Sequence, residues 1–231
     1  KIEYITAVPR MALYMEYSTR IYNIYLKYIA PEDIHVYSID EAFLLFDNTI
    51  EPAKQKLLAE HIVKEIRRSI GIPVSIGLAP TRTLAKIASK YAKNYSGYHG
   101  ACLIDTPQKR EKALSTFPIE DVWGIGRRSV KKLNAAGVFT ALDFSSRQSE
   151  FALNLMHKPG LQTWQELNGY DAVSIDELTR HLTITRSRTF LQPVTDIDTM
   201  EAYIADFCSA CAHKLRAQHS LCSDILLFAV P

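Results

Sequence analysis

The chain has 231 residues, of which 47% are hydrophobic, 23% charged and 10% aromatic, with a formal net charge of +2. This is the composition of an ordinary soluble globular protein, long enough for one large domain or two to three small ones. The charge is too small to argue for nucleic acid by itself, so any such contact must rest on local clusters; no apolar run approaches the ~20 residues that span a bilayer. The four cysteines, Cys102, Cys208, Cys211 and Cys222, are sparse usage that fits a reducing cytosol and a cytoplasmic protein. The chain opens Lys1-Ile2-Glu3-Tyr4, without an initiating Met or a signal-peptide layout, and is expected to be a piece of something longer.

In chain order, residues 11–28 carry Tyr and apolar residues at helical spacing and predict a helix that packs on a sheet. A hairpin follows over about 35–47, holding the run Val36-Tyr37-Ser38-Ile39-Asp40-Glu41-Ala42-Phe43-Leu44-Leu45. Residues 52–69 predict a helix through Leu57, Leu58, Ile62 and Ile66, ended by Gly71. Residues 72–79 alternate as a strand, and Pro80 opens a helix from Thr81 to about Lys93. From about 107 to 176 the pattern changes to short helices without a convincing strand, turning at Gly124, Gly137, Gly160 and Gly169. The last section predicts strand 182–190, helix 199–218 and strand 223–230, half of a small α/β sandwich. Cys208 and Cys211 read better as part of that helix's apolar stripe than as zinc ligands, because no second ligand pair accompanies them.

Three clusters carry chemistry. Asp40-Glu41 sits between two apolar strands, where a pair of acids is costly unless it serves as a polar turn or holds a cation; carboxylate oxygens are what Mg²⁺ prefers. Arg82, Lys86, Lys90 and Lys93 are spaced four, four and three apart, on one face of the helix that follows Pro80. Carboxylates beside a row of cations suit a polyphosphate substrate. The third cluster is Trp123-Gly124-Ile125-Gly126 with Arg127, Arg128, Lys131 and Lys132, followed by Gly137. Two glycines in a turn that opens a helix, ringed by cations, predict a helix-hairpin-helix that grips a duplex backbone without reading sequence. Arg186 and Arg188, two apart on a predicted strand, would share one face and line a phosphate track.

Together these residues resemble the Y-family, or translesion, DNA polymerases of the DinB and UmuC branches, with the closer likeness to UmuC-like proteins of Gram-positive bacteria. Tyr37-Ser38-Ile39-Asp40-Glu41-Ala42-Phe43 is similar to the family's palm signature. Residues 71–79 with Thr83-Leu84-Ala85-Lys86-Ile87-Ala88-Ser89 resemble its next motif, and Trp123-Gly124-Ile125-Gly126 falls where the thumb's helix-hairpin-helix would be. The resemblance implies an α+β multidomain fold: the end of the fingers at 1–11, a partial palm at 12–106, an all-α thumb at 107–177 and the first half of an α/β-sandwich little finger at 178–231. It implies template-directed addition of dNTPs to a primer 3′ end across damaged DNA, in DNA repair and the SOS response. Asp40 and Glu41 would be the catalytic and metal-binding carboxylates of a two-Mg²⁺ site, and Lys93 would contact the incoming triphosphate. Primer-template DNA would be held by Gly124, Gly126, Arg127, Arg128 and Lys131, with Arg82, Lys86, Lys90, Arg186 and Arg188 as further DNA contacts. A sliding clamp is a further implied partner, through C-terminal segments outside this sequence, and no membrane is implied.

The family's third carboxylate lies on a first palm strand that precedes these residues, and Asp47 stands in the wrong place to substitute. The expectation is therefore an internal fragment, nearly inactive alone. Two other readings stay open. One is a non-catalytic DNA-binding or interaction module that uses the helix-hairpin-helix. The other is a nucleotide cyclase, against which the duplex-gripping motif counts.

Overall fold

A computed structural model describes residues 9–174 and 183–229. The first eight residues of the fingers remnant expected at 1–11, the thumb boundary at 177/178, residue 182 and residues 230–231 lie outside the described residues. The chain divides into two compact units, Lys1–Glu177 and Leu178–Pro231.

In the first unit, helix α1 (Met11–Tyr25) lies against helix α2 (Pro52–Ile70). Ile24 meets Ile62 and Ile66, the last two fully buried, with Phe46, Val74 and Ile76 at the margin. The expected sheet partner of α1 is thus mainly a helix. α2 begins at Pro52, where the missing N–H costs nothing, and ends at Gly71, whose φ of +84° supplies the left-handed cap.

Strands β1 (Ile34–Val36) and β2 (Ala42–Leu44) form an antiparallel hairpin, with His35 opposite Phe43. Strand β3 (Ile76–Leu78) pairs in parallel with β4 (Ala101–Leu103). Helix α3 (Arg82–Asn94) connects them. The strand expected over 72–79 is thus shorter, and β4 carries no sequence signal, since Ala-Cys-Leu is too short to alternate. Thr81 rather than Pro80 caps α3, its hydroxyl accepting from the Leu84 N–H.

Helices α4 (Pro107–Thr116), α5 (Arg127–Ala135), α6 (Ala141–Ser145) and α7 (Ser149–Leu167) follow. Gly124, Gly137 and Gly169 turn with positive φ, as expected. Gly160 does not: it is buried within α7, and the break falls at His157 (φ 60°), two residues before Pro159. The proline explains the shift, because it lacks an N–H and its ring crowds the preceding turn. One apolar core runs from Leu84 and Ile87 of α3 through Ile104 and Leu114 to Leu133, Phe144 and Leu167. It therefore crosses residue 106 without interruption.

The second unit contains helix α8 (Ile197–Ala217), capped by the Asp196 carboxylate on the Thr199 N–H at 2.7 Å. Phe190 packs on Tyr203 with ring centroids 4.6 Å apart. Neither expected strand is formed among the described residues of 183–190 and 223–229. Their β-branched and apolar content favours extension, but a lone strand has no partner for its backbone donors and acceptors. Cys208, expected on the apolar stripe, is exposed, and Cys211 is half-buried.

Candidate functional site

The hairpin β1–β2 presents Asp40 and Glu41 at its tip. The N–H groups of Tyr37 and Ser38 both donate to the Glu41 carbonyl, at 2.9 and 3.0 Å, and close the turn. The Ser38 hydroxyl donates to Asp40 Oδ1 at 2.7 Å. Both acidic residues are exposed, so the penalty of burying a charge does not arise here. Two adjacent, water-accessible carboxylates fit a hard divalent cation, which keeps several waters and takes one or two protein oxygens. Among the described residues no group of three or more His, Cys, Asp or Glu side chains converges.

The cations of α3 share a face and then separate by partner. Lys86 reaches across to Glu41, its Nζ donating to Oε1 at 2.8 Å. Lys90 pairs with Asp121 at 2.6 Å and lies over the Phe117 ring. Arg82, with a side chain only 12% exposed, pairs with Asp171 at 2.7 Å and donates to the Val173 carbonyl. Lys93 stands exposed in the last turn of α3. The expected row of four cations is real as a helix face, but three of its members carry a carboxylate partner.

Trp123 belongs to the same corner. Its indole N–H donates to the Tyr37 hydroxyl at 3.3 Å, and its ring centroid lies 5.6 Å from that of Tyr37 and 5.8 Å from that of Phe43. The Lys86 ammonium stands 4.9 Å from the Tyr37 ring and 5.2 Å from the Trp123 ring. A cation over two aromatic faces is held by their negative quadrupoles. The sequence places Tyr37 and Phe43 in one motif and Trp123 in another, and gives no sign that their rings meet.

The hairpin itself is built as expected. Gly124 turns at φ +88°, where an added Cβ would also lie 2.8 Å from Thr163 Oγ1. Gly126 caps α5 without a side chain, so the first-turn N–H groups receive no side-chain cap from it. Arg127, Arg128, Lys131 and Lys132 around it are exposed. Leu133 and Val138, both fully buried, close the helix onto the next turn. There Thr140 and Asp143 form a capping box, and the N–H groups of Phe139 and Thr140 hold the Asp143 carboxyl below its ordinary range.

Glu166 was not foreseen. It is fully buried, and its carboxylate accepts from the N–H groups of Thr83 at 2.9 Å and Ala172 at 2.8 Å. Its own carbonyl accepts from the Thr81 hydroxyl at 2.8 Å. A carboxylate at the N-terminus of α3 also complements the helix dipole. It ties α3 to α7.

In the second unit Arg186 is exposed, while Arg188 lies over Phe190 and Tyr203, 5.8 and 5.3 Å from their ring centroids. The segment is not a paired strand, so the expected one-faced arginine track has no sheet to define it.

Comparison with known proteins matches three family models in order. The impB/mucB/samB family covers residues 2–90, the IMS family HHH motif 107–138, and the impB/mucB/samB family C-terminal domain 182–230. SamB of Salmonella typhimurium is 32% identical over 220 residues, 94% of this chain and 51% of that protein. DNA polymerase IV of Vibrio vulnificus is 29% identical over 192 residues, 82% of this chain and 52% of that protein. The chain thus spans about half the length of the curated relatives it matches. Among solved structures, DinB from Sulfolobus solfataricus superposes with a TM-score of 0.60 at 29% identity, covering 72% of this chain and 48% of that one. The insertion ternary complex of Dbh DNA polymerase gives 0.59 at 28% identity, over 70% of this chain and 46% of that one. With the three family models matched one after another along the sequence, the chain belongs to the impB/mucB/samB family, the UmuC/DinB-like Y-family DNA polymerases.

Proposed function

We propose that these residues form the carboxylate corner and DNA-gripping thumb of a translesion DNA polymerase, which adds dNTPs to a primer 3′ end across damaged template. The observation that carries this reading is Lys86: from α3 it reaches Glu41 at 2.8 Å while Trp123 of the glycine hairpin lies against the same ammonium. Acid pair, basic helix and duplex-gripping hairpin therefore meet at one place.

Asp40 and Glu41 would hold Mg²⁺ through their carboxylate oxygens. Bound as a pair, such ions lower the pKa of the attacking hydroxyl and offset triphosphate charge. Lys93, exposed in the last turn of α3, would contact the incoming triphosphate, as the family resemblance implies. The first-turn N–H groups of α5 with Arg127, Arg128 and Lys131 would hold backbone phosphates of primer-template DNA. Arg82 anchors Asp171 and Val173, and serves the site by fixing the start of α3. Such an enzyme works in the cytoplasm, which the four free cysteines suit.

A second reading concerns the 231 residues by themselves: they bind DNA but turn over poorly. It is favoured by the engagement of Asp40 Oδ1 with Ser38 and of Glu41 Oε1 with Lys86. Primer extension on a lesion-bearing template tests both. The product of the complete gene is expected to extend the primer, and Asp40→Ala to lower the rate by about 10²-fold or more. Robust extension by the 231-residue chain alone would sink the second reading; extension unaffected by Asp40→Ala would sink the first.

A further inference from the structure

Lys86 is gripped from three sides. Glu41 Oε1 lies 2.8 Å from its Nζ, and the Tyr37 and Trp123 rings stand 4.9 and 5.2 Å away. Trp123 is itself tied to Tyr37 by the 3.3 Å indole hydrogen bond, and Phe43 backs both rings. The three aromatics come from two distant stretches: Tyr37 and Phe43 flank the acidic tip, and Trp123 opens the glycine hairpin. Lys86 is only 24% exposed, so its ammonium is held rather than free to wander in water.

A divalent cation that takes Glu41 must compete with that ammonium. Both are positive, both seek the same carboxylate, and two cations at one oxygen repel. We propose that Tyr37 and Trp123 are positioning residues which cage Lys86 as a resident counter-ion on Glu41, and that a cation arriving at the acid pair displaces Lys86 and so alters the setting of Trp123. The glycine hairpin and the acidic tip then respond to one event. The proposal rests on the reading of Asp40-Glu41 as a divalent-cation site.

Trp123 is its own reporter. The chain has two tryptophans, so Trp164→Phe leaves Trp123 alone. In that background, Mg²⁺ without nucleotide or DNA is added while Trp123 emission is followed, and binding is measured separately by calorimetry. The expected result is an emission change that saturates with the calorimetric isotherm and is absent in Glu41→Gln. Lys86→Met, which keeps the aliphatic stem and removes the charge, should abolish the emission change and tighten Mg²⁺ binding about two- to fivefold. Trp123→Phe should leave binding near its starting value, whereas Trp123→Ala, which removes one wall of the cage, should tighten it in the direction of Lys86→Met. Mg²⁺ binding that Glu41→Gln abolishes, with no change in emission, would overturn the cage while leaving the cation site standing. Mg²⁺ binding indifferent to Glu41→Gln, or none, would overturn the cation site and the cage with it. The circular dichroism of each variant at equal concentration confirms that it is folded.

Discussion

Gly77 decides how close the basic helix can approach its sheet. A Cβ at this position would lie 1.9 Å from the Ala85 carbonyl oxygen and 2.2 Å from the Ser89 N–H nitrogen, both backbone atoms of α3. Neither can swing aside as a side-chain tip would. Gly77→Ala must therefore push α3 off β3, at a cost of about 1–3 kcal/mol or more. A lower urea midpoint at unchanged slope would show it; an unchanged midpoint would mean that α3 is not seated as tightly as the backbone indicates. The residues that matter most at this scale were unequally visible in the sequence. Asp40, Glu41 and the Gly124–Gly126 pair stand in short local motifs, and their positions at a hairpin tip and at a turn opening a helix could be read from those motifs. Glu166 could not, since its partner Thr83 is 83 residues away and an isolated Glu near a helix end resembles a solvated one. The Lys86–Trp123 contact was hidden for the same reason.

At the scale of elements, long periodic helices were the legible part. Apolar spacing through Leu58, Ile62 and Ile66 marked α2, and the real helix differs from its expected span by one residue at its C-terminal end. Three-residue strands gave no such signal, which is why β4 was missed; the two strands expected around α8 are absent among the described residues for another reason, that neither has a partner strand. The short helix α6 depends on its cap. Asp143 accepts from the N–H groups of Phe139 and Thr140 at 3.0 and 2.8 Å, which holds its pKa below the ordinary value. A lowered folded-state pKa means stability that is present above the unfolded value, about 4, and lost as pH falls through the folded one. Asp143→Asn should thus lose stability at neutral pH and less on acidification; the difference between urea midpoints at pH 7 and pH 3 should shrink in the variant. For α5, the exposed cations predict a salt effect rather than a sequence preference. Replacing Lys131 with Ala should lower the slope of log affinity against log salt by about 0.9 for a duplex, if it neutralises one phosphate. Fluorescence anisotropy across a salt series measures this, and an unchanged slope would remove Lys131 from the interface.

Across the first unit as a whole, one core joins the segments on either side of residue 106. Apolar packing passes without a gap from Ile87 in α3 to Phe144 in α6 and Leu167 in α7. Glu166 adds a polar clasp to that continuity, satisfying the first turn of α3 from the end of α7. Glu166→Ala would strand the buried Thr83 N–H and free the half-buried Ala172 N–H, at a cost of about 2–3 kcal/mol. Glu166→Gln keeps one acceptor oxygen and should lose about half as much. Equal losses in the two variants would mean that packing volume, not the hydrogen bonds, is what Glu166 supplies.

The clasp bears on how segments of this unit can be exchanged. A chimaera that replaced residues 107–174 alone would sever Glu166 from Thr81 and Thr83, and would join a foreign α7 to a native α3 across the largest core in the unit. Moving the boundary back to Thr81 would keep Glu166 with Thr81 and Thr83 but would part α3 from Gly77, Lys86 from Glu41 and Trp123 from Tyr37. Any exchange of segments within this unit therefore has to carry the acidic hairpin, α3 and the Gly124–Gly126 turn together, because the Lys86 side chain touches all three stretches.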